Sequence, residues 1–279
     1  MSVIDTSALF SDRDLDGSYD ESAAIPIQLT GETAACASDA VSIDGARITL
    51  LDEGTYLVSG TLTDGQIVVD ADDTDKVQIV LAGADITCTD SAAIYSKNAD
   101  KVFLTLADGT ENTLINGGSY ADIDENNIDS VVFSKTDLTL NGSGSLTIDA
   151  QAGHGVVSKD ELTINGGTFT VDSVDDCLHS GGALAVTGGT FTLSSGDDAI
   201  HSDDAVTIRA GEFSIPYCYE GVEGLSVTVE DGTFEITAYD DGFNAAGGAD
   251  SSGFGGRGDP FAASADSFIT INGGTITIV

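Results

Sequence analysis

Residues 161–248 repeat one phrase four times: ELTINGGTFTVDSVDDCLHSGG (161–182), ALAVTGGTFTLSSGDDAIHSDD (183–204), AVTIRAGEFSIPYCYEGVEGL (205–225) and SVTVEDGTFEITAYDDGFNAAGG (226–248). A last partial copy, SFITINGGTITIV, occupies 267–279. The turn positions Asn141, Asn165, Thr187, Arg209 and Glu230 lie 24, 22, 22 and 21 residues apart, and the step from Glu230 to Asn272 is 42. A period of this length marks a solenoid whose units bury their apolar faces only against their neighbours. Inside each unit the apolar period is two, as in Leu162/Ile164, Leu184/Val186, Val206/Ile208 and Val227/Val229. After the glycine turn come Phe169/Val171, Phe191/Leu193, Phe213/Ile215 and Phe234/Ile236, then a third apolar position at Leu178, Ile200, Val222 and Phe243. Three short strands in about 22 residues predict one rung of a parallel β-helix. A leucine-rich repeat has similar length, but its LxxLxLxxN spacing is missing.

The reading extends outward from these copies. DKVQIVLAGADIT (75–87) and DKVFLTLADGTENTLI (100–115) are less regular rungs, and Arg47–Leu51, Thr55–Ser59 and Gln66–Val69 read as earlier strands. The expected fold is therefore an all-β, single-domain parallel β-helix, a right-handed solenoid with about 21–24 residues per rung over 31–279. Residues 1–30 form an N-terminal segment, and 117–130 and 247–266 are expected as loops leaving the helix. The second loop contains Arg257-Gly258-Asp259, read as a glycine-rich loop that happens to spell an adhesion tripeptide.

Charge narrows the partners. With 47 acidic and 9 basic residues in 279, the formal net charge is −38. Phosphate backbones and anionic lipid surfaces are bound by Lys/Arg patches, so nucleic acid and such membranes are excluded. No apolar run is long enough to cross a membrane as a helix. No apolar h-region follows Met1, so a signal peptide is not expected in this sequence. The 4 cysteines, none in a CxxC pair, do not make a disulfide scaffold. Val279 falls inside a strand-like run, which predicts self-association through an uncapped C-terminal rung or a further rung beyond it.

Equivalent residues on adjacent rungs stand ~4.8 Å apart. The acidic pairs Asp175/Asp176, Asp197/Asp198 and Asp240/Asp241 share a register, with Tyr219/Glu220 between the last two. Unit charges at that spacing repel by ~3.5 kcal/mol at an effective dielectric of 20. Arg209 is the only basic residue between 160 and 256, so a cation, protonation or solvent must relieve them. Calcium, with 6–8 oxygen ligands, suits stacked carboxylates. A second cation signal is Asp12-Arg13-Asp14-Leu15-Asp16-Gly17 with Asp20, matching positions 1, 3, 5, 6 and 9 of a calcium loop, although Ala23 stands where a bidentate Glu belongs.

Further rows suggest a ligand surface. His179, His201, Glu223 and Asn244 form one ladder, with small residues Cys177, Ala199, Gly221 and Gly242 two positions earlier. Those small residues form either a trough beside the polar row or simply the inside of a bend. Tyr217, Tyr219 and Tyr239 offer apolar faces with hydroxyls for stacking on sugars. Lys97, Lys135 and Lys159 share a register and either meet an acidic sugar or pair with Asp100, Asp137 and Asp160. No Gly-x-Ser-x-Gly elbow or Ser/His/Asp set is present.

The rungs NGGTFTVDSVDDCLHS, TGGTFTLSSGDDAIHS and DGTFEITAYDDGFNAAGG resemble a family of secreted bacterial carbohydrate-binding β-helix proteins. So do RDLDGSYDES and EGTYLVSGTLTDGQIVVDADDTDKVQIVL. The resemblance implies a polysaccharide lyase-like shape, calcium on the acidic rungs, cellulose and pectic sugars as ligands, and an extracellular or cell-surface location. It places calcium ligands among Asp175, Asp176, Asp197, Asp198, Asp240 and Asp241; the sequence departs from it at Tyr219, where the first acid of a pair is missing. The expected function is thus a non-catalytic, calcium-dependent carbohydrate-binding protein. The alternatives are a calcium-dependent polysaccharide lyase, which needs a positioned Lys or Arg base, and a structural surface spacer or adhesin. An ice-binding face of Thr-x-Thr rows is disfavoured because the rows break at Glu212/Ser214 and Glu235.

Overall fold

The computed structural model describes residues 9–121, 123–245 and 267–279, and within them the chain is all-β with no α-helix. The expected loop at 247–266, with Arg257-Gly258-Asp259, lies outside the described residues. Alternating apolar positions put one strand face inside, and glycine turns let each strand hand over to the next. The early runs form strands Arg47–Leu50, Gly54–Leu62 and Gln66–Asp70, close to their expected bounds.

Each coil contributes to three parallel ladders. In the first, Leu162, Leu184, Val206, Val227 and Ile269 stand in register. The second aligns Leu146, Phe169, Phe191, Phe213, Phe234 and Ile276. The third aligns Ile94, Val132, Val156, Leu178, Ile200, Val222 and Phe243. The two antiparallel pairings among the described strands lie at the N-terminal end, Ile25–Gly31 with Ala34–Ala35 and Val41–Asp44 with Arg47–Leu50.

Between the ladders runs one continuous core. Phe169, Phe191, Phe213 and Phe234 are buried and stack with centroids 5.3, 4.7 and 4.6 Å apart. Burying a side chain of this size contributes roughly 1.5–3 kcal/mol. The glycine before each ring, such as Gly211 at φ +142°, adopts a backbone that disfavours a side chain, and a Cβ there would lie 2.7 Å from the Phe213 ring.

Two outer segments depart from the sequence expectation. Residues 117–130 do not leave the body of the fold. They fold back over the third ladder, where Ile128 and Tyr120 join Val68, Ala92, Tyr95, Phe133 and Val157 in a separate apolar cluster. The Tyr95 hydroxyl donates to Asp124 Oδ2 at 2.7 Å and accepts from Asn126 Nδ2 at 2.6 Å. Asn127 completes the fold-back with φ 61°, a left-handed conformation that Asn tolerates better than most residues.

The second is the Asp-rich N-terminal stretch, which forms a strap across the outside of the first ladder. The Arg209 guanidinium lies 5.8 Å from the Phe10 ring centre, and Arg13 reaches Gln78 Oε1 at 2.9 Å while covering Phe103. Asn165 Nδ2 donates to the Leu15 carbonyl at 2.9 Å. Asp14 is buried, 2.7 Å from Lys101 Nζ, and accepts from the Thr139 hydroxyl. Gly17 serves close approach rather than a sharp turn, since a Cβ there would sit 2.9 Å from the Gly142 nitrogen.

The Asp14 clasp is testable. Burial pushes its carboxyl up, but hydrogen bonds from Lys101, Ser11 and Thr139 outweigh that and lower it to about 2. A carboxyl lowered on folding stabilises the protein above the ordinary Asp range and loses that contribution as pH falls from about 4 to about 2. Asp14→Asn should cost about 2 kcal/mol at neutral pH, the scale of a shift of just under two units. Faster amide exchange over 10–18 in the variant is the expected readout; unchanged exchange and melting would show the strap is not held by this pair.

Candidate functional site

The third ladder is where the chemistry gathers, because of how its corner turns. Amides run up the corner from Gly155 to Asp176, Cys177 to Asp198, Ala199 to Glu220 and Gly221 to Asp241, each 2.9–3.0 Å from the next coil's carbonyl. His154, Asp176, Asp198, Glu220 and Asp241 therefore occupy equivalent places. At the bend Cys177 and Leu178 both enter the core, as do Ala199 and Ile200. Two consecutive inward residues leave Asp176 and His179, three apart, facing each other outside. The small residues are thus the inside of a bend and not an outer trough; a Cβ on Gly221 would lie 2.4 Å from the Gly242 carbonyl oxygen.

Imidazoles and carboxylates interleave along this row. His179 Nδ1 is 2.8 Å from Asp176 Oδ2, and His154 Nδ1 is 3.1 Å from the same oxygen. His201 Nδ1 lies 2.9 Å from Asp198 Oδ2 and 3.0 Å from Glu223 Oε2, with its Nε2 3.3 Å from Asp203. The His179 and His201 rings stack at 4.7 Å and 8°. One coil further, Asn244 Nδ2 donates to both Glu220 oxygens at 2.9 Å. Asp176, Asp198, Glu220 and Glu223 are each at most 4% exposed.

Burial and crowding set the charges. Burial raises Asp176, but its bonds to His154 and His179 dominate and hold it well below the carboxylate range. Burial pushes Asp198 up, and Glu223 and Asp176 beside it outweigh the opposing bond to His201. Glu223 is lowered despite burial, by His201 first and then by the neighbouring Asp198. His201 would be lowered by burial alone, but the carboxylates of Asp198, Asp203 and Glu223 around it raise it.

The remaining sequence candidates fall outside this cluster. Asp175 and Asp197 are half-buried on the rim, whereas Asp240 and Asp241 are exposed. Tyr219 stacks on Tyr239 at 5.6 Å and its hydroxyl is 3.3 Å from Asp240. Tyr217 and Tyr239 are 52% and 72% exposed. Lys97 pairs with Asp70 at 2.8 Å and Lys159 with Asp129 at 3.6 Å, partners from the preceding coil rather than Asp100 and Asp160. Lys135 adds favourable charge beside Asp124.

Asp12, Asp14, Asp16 and Asp20 do not converge on one point. Asp14 turns in to Lys101, while Asp16 and Asp20 accept the amides of Ser18 and Ser22 at 2.9 Å. Side chains whose ligand atoms do converge within 4.8 Å, among the described residues, are His154/Asp176/His179, His179/His201/Asp203 and Asp198/His201/Glu223. Sequence reading missed His154 and Asp203. His154 follows Gly153 where other coils carry the acidic pair, so only its place in the register could have revealed it.

Comparison with known proteins fits this geometry. A family described as "Carbohydrate-binding domain-containing protein" matches residues 44–279. A protein of the same description from Acetivibrio thermocellus is 38% identical over 135 residues, 48% of this chain and 47% of that protein. The match therefore spans about half the length of that relative. The solved polysaccharide lyase-like protein from C. thermocellum, as its gadolinium derivative, is similar with a TM-score of 0.66 and 24% identity, over 91% of this chain and 94% of that one. That likeness is one of fold.

The rim carries a pH signature. Burial, then Asp176 and Asp175, raise the Asp197 carboxyl to about 6. The unfolded chain loses this proton near pH 4 while the folded protein still holds it, so stability falls as pH rises from about 4 to about 6. In chelator-treated buffer Asp197→Asn should flatten that slope in urea or thermal melts; an identical slope would show that the rim carboxylates do not feel one another.

Proposed function

The chain belongs to the carbohydrate-binding domain-containing protein family, and on that basis we propose that it binds polysaccharide without cleaving it. The family match over 44–279 carries this reading. We read the three ladders as the walls of a single-domain, right-handed parallel β-helix that works outside the cell or at its surface. The ligand lies along the corner between the second and third ladders, where Tyr217 and Tyr239 offer exposed rings beside the acidic rim. Aromatic faces give sugars an apolar platform, and the rim carboxylates accept hydrogen bonds from hydroxyls.

Calcium is part of this proposal, and we assign it by donor chemistry. Asp175, Asp197 and Asp240 offer oxygen alone, the donor calcium takes, and burial followed by the Asp176 and Asp175 charges raises Asp197. Asp176 and Asp198 face imidazoles and fit calcium poorly. A cation on the rim supplies the positive charge that lets an acidic surface accept uronates such as those of pectin. Neutral glucan such as cellulose relies on the tyrosines.

Against lyase chemistry, Arg209 sits on the first ladder, 3.4 Å from Glu230 and over Phe10. Lys159, beside the row, is engaged by Asp129 and lies over Phe133. Neither is poised as a free base.

A glycan array with polygalacturonate and β-glucan, run with calcium and with chelator, tests the proposal. Binding to both is expected, that to polygalacturonate falling with chelator, with no ultraviolet-absorbing unsaturated product. Tyr239→Ala should weaken glucan binding about tenfold, equivalent to ~1.4 kcal/mol. Accumulation of unsaturated product would replace this reading with a lyase, and the absence of any glycan signal would remove it.

A further inference from the structure

The protein has 3 histidines, and all of them meet on consecutive coils of the third ladder. The repeat stacks His179 on His201, but His154 joins them from the register place that Asp176 holds one coil on, and the arrangement is under-supplied with positive charge. His201 Nδ1 faces two carboxylates, Asp198 Oδ2 at 2.9 Å and Glu223 Oε2 at 3.0 Å, although one N–H serves one acceptor well. Glu223 is 1% exposed, and its other oxygen, Oε1, is buried without a hydrogen-bond partner. Buried polar atoms are almost always satisfied, so an orphan in a charged cluster points to a missing partner. His154 Nδ1 shows the same shortage: it lies 3.1 Å from both the Asp176 amide and Asp176 Oδ2, and no single tautomer satisfies both.

We propose that this row, His154, Asp176 and His179 with the adjoining Asp198, His201 and Glu223, binds a divalent transition-metal ion through imidazole nitrogen. Three observations set the ion class. Mixed imidazole and carboxylate donors select zinc and its transition-metal neighbours, whereas calcium wants oxygen throughout. Ligands held ~2.1 Å from a common ion lie roughly 3.0–3.4 Å apart. The separations here, 2.8 and 3.1 Å about Asp176 Oδ2, adjust to that range by a few tenths of an ångström. Finally, the Asp198 amide donates to Asp176 Oδ1 at 3.0 Å, leaving Oδ2 aimed at the imidazoles, as an orienting partner does in metal sites. The side chains of His154 and His179 are 20% and 17% exposed, so an ion has a way in from solvent. The site is separate from the oxygen-only rim and does not depend on the carbohydrate reading.

Metal-stripped protein is titrated with zinc and with calcium by calorimetry, and with cobalt by visible absorption. Zinc should bind with one or two ions per chain, raise the melting temperature, and persist in excess calcium; cobalt should show the shifted, intensified bands of nitrogen ligation. His154→Gln and His179→Ala should each weaken zinc at least tenfold, and Asp172→Asn, an exposed acid on the second ladder, should not. If His179→Ala fails to fold, the part-exposed His154→Gln still decides. Zinc heats indistinguishable from buffer, a hexaaqua-like cobalt spectrum, or undiminished affinity in the histidine variants would overturn the proposal. Glycan binding measured on the same stripped protein separates the two readings: sugar binding without zinc binding rejects the metal site alone, and zinc binding without sugar binding rejects only the proposed function.

Discussion

Parallel pairing puts equivalent side chains of successive coils about 4.8 Å apart, and the rest of this structure answers to that spacing. Where the repeated residue is apolar, repetition is favourable, as in the column of phenylalanine rings that tops itself every coil. Where it is an acid, repetition is costly, because each carboxylate meets its copy above and below. The third ladder resolves this by interleaving. Asp176 lies between two histidines, His201 between two acids, and Asn244 donates to Glu220 where no imidazole follows.

Coverage of the outer faces follows from what each ladder exposes. On the early coils the third ladder is aromatic outside, at Tyr95 and Phe133, and the 117–130 segment returns to cover it. Past Val157 the same positions turn polar at His179, and among the described residues the 117–121 and 123–130 cover does not continue over them. The polar second ladder, with Thr190, Thr192, Glu212, Ser214, Thr233 and Glu235 lining a shallow groove, has no such lid among the described residues.

Much of this was legible in the sequence because repetition is a local signal carried many times. The pairings His179 to His201, His201 to Glu223 and Glu223 to Asn244 follow from the 22-residue spacing alone. What escaped reading was whatever breaks the period. Inside and outside could not be assigned across the corner, where Cys177 and Leu178 both point inward and simple alternation lapses. Tyr217 stands outside a register shift between Ser194 and the next coil, so its neighbours were not fixed by counting. The strap escaped for a deeper reason: Asp14 and Lys101 belong to no common repeat, and an Asp-rich hexapeptide spells a cation loop equally well until its distant partner is known.

That strap also measures the stack of strands beneath it. Its contacts run from Arg209 at Phe10 to Gln78 at Arg13 and Ser18, so a fixed short peptide is laid along a fixed number of coils. A chain of repeats such as this one grows by duplicating whole repeats, and nearest-neighbour stacking is indifferent to how many there are. The strap is not indifferent. A repeat inserted between Gln78 and Arg209 would leave it one coil short, whereas one added beyond Arg209 would leave it intact. Duplication and loss of coils in descendants of this sequence should therefore concentrate at the C-terminal side of Arg209, with the strapped portion inherited at constant length.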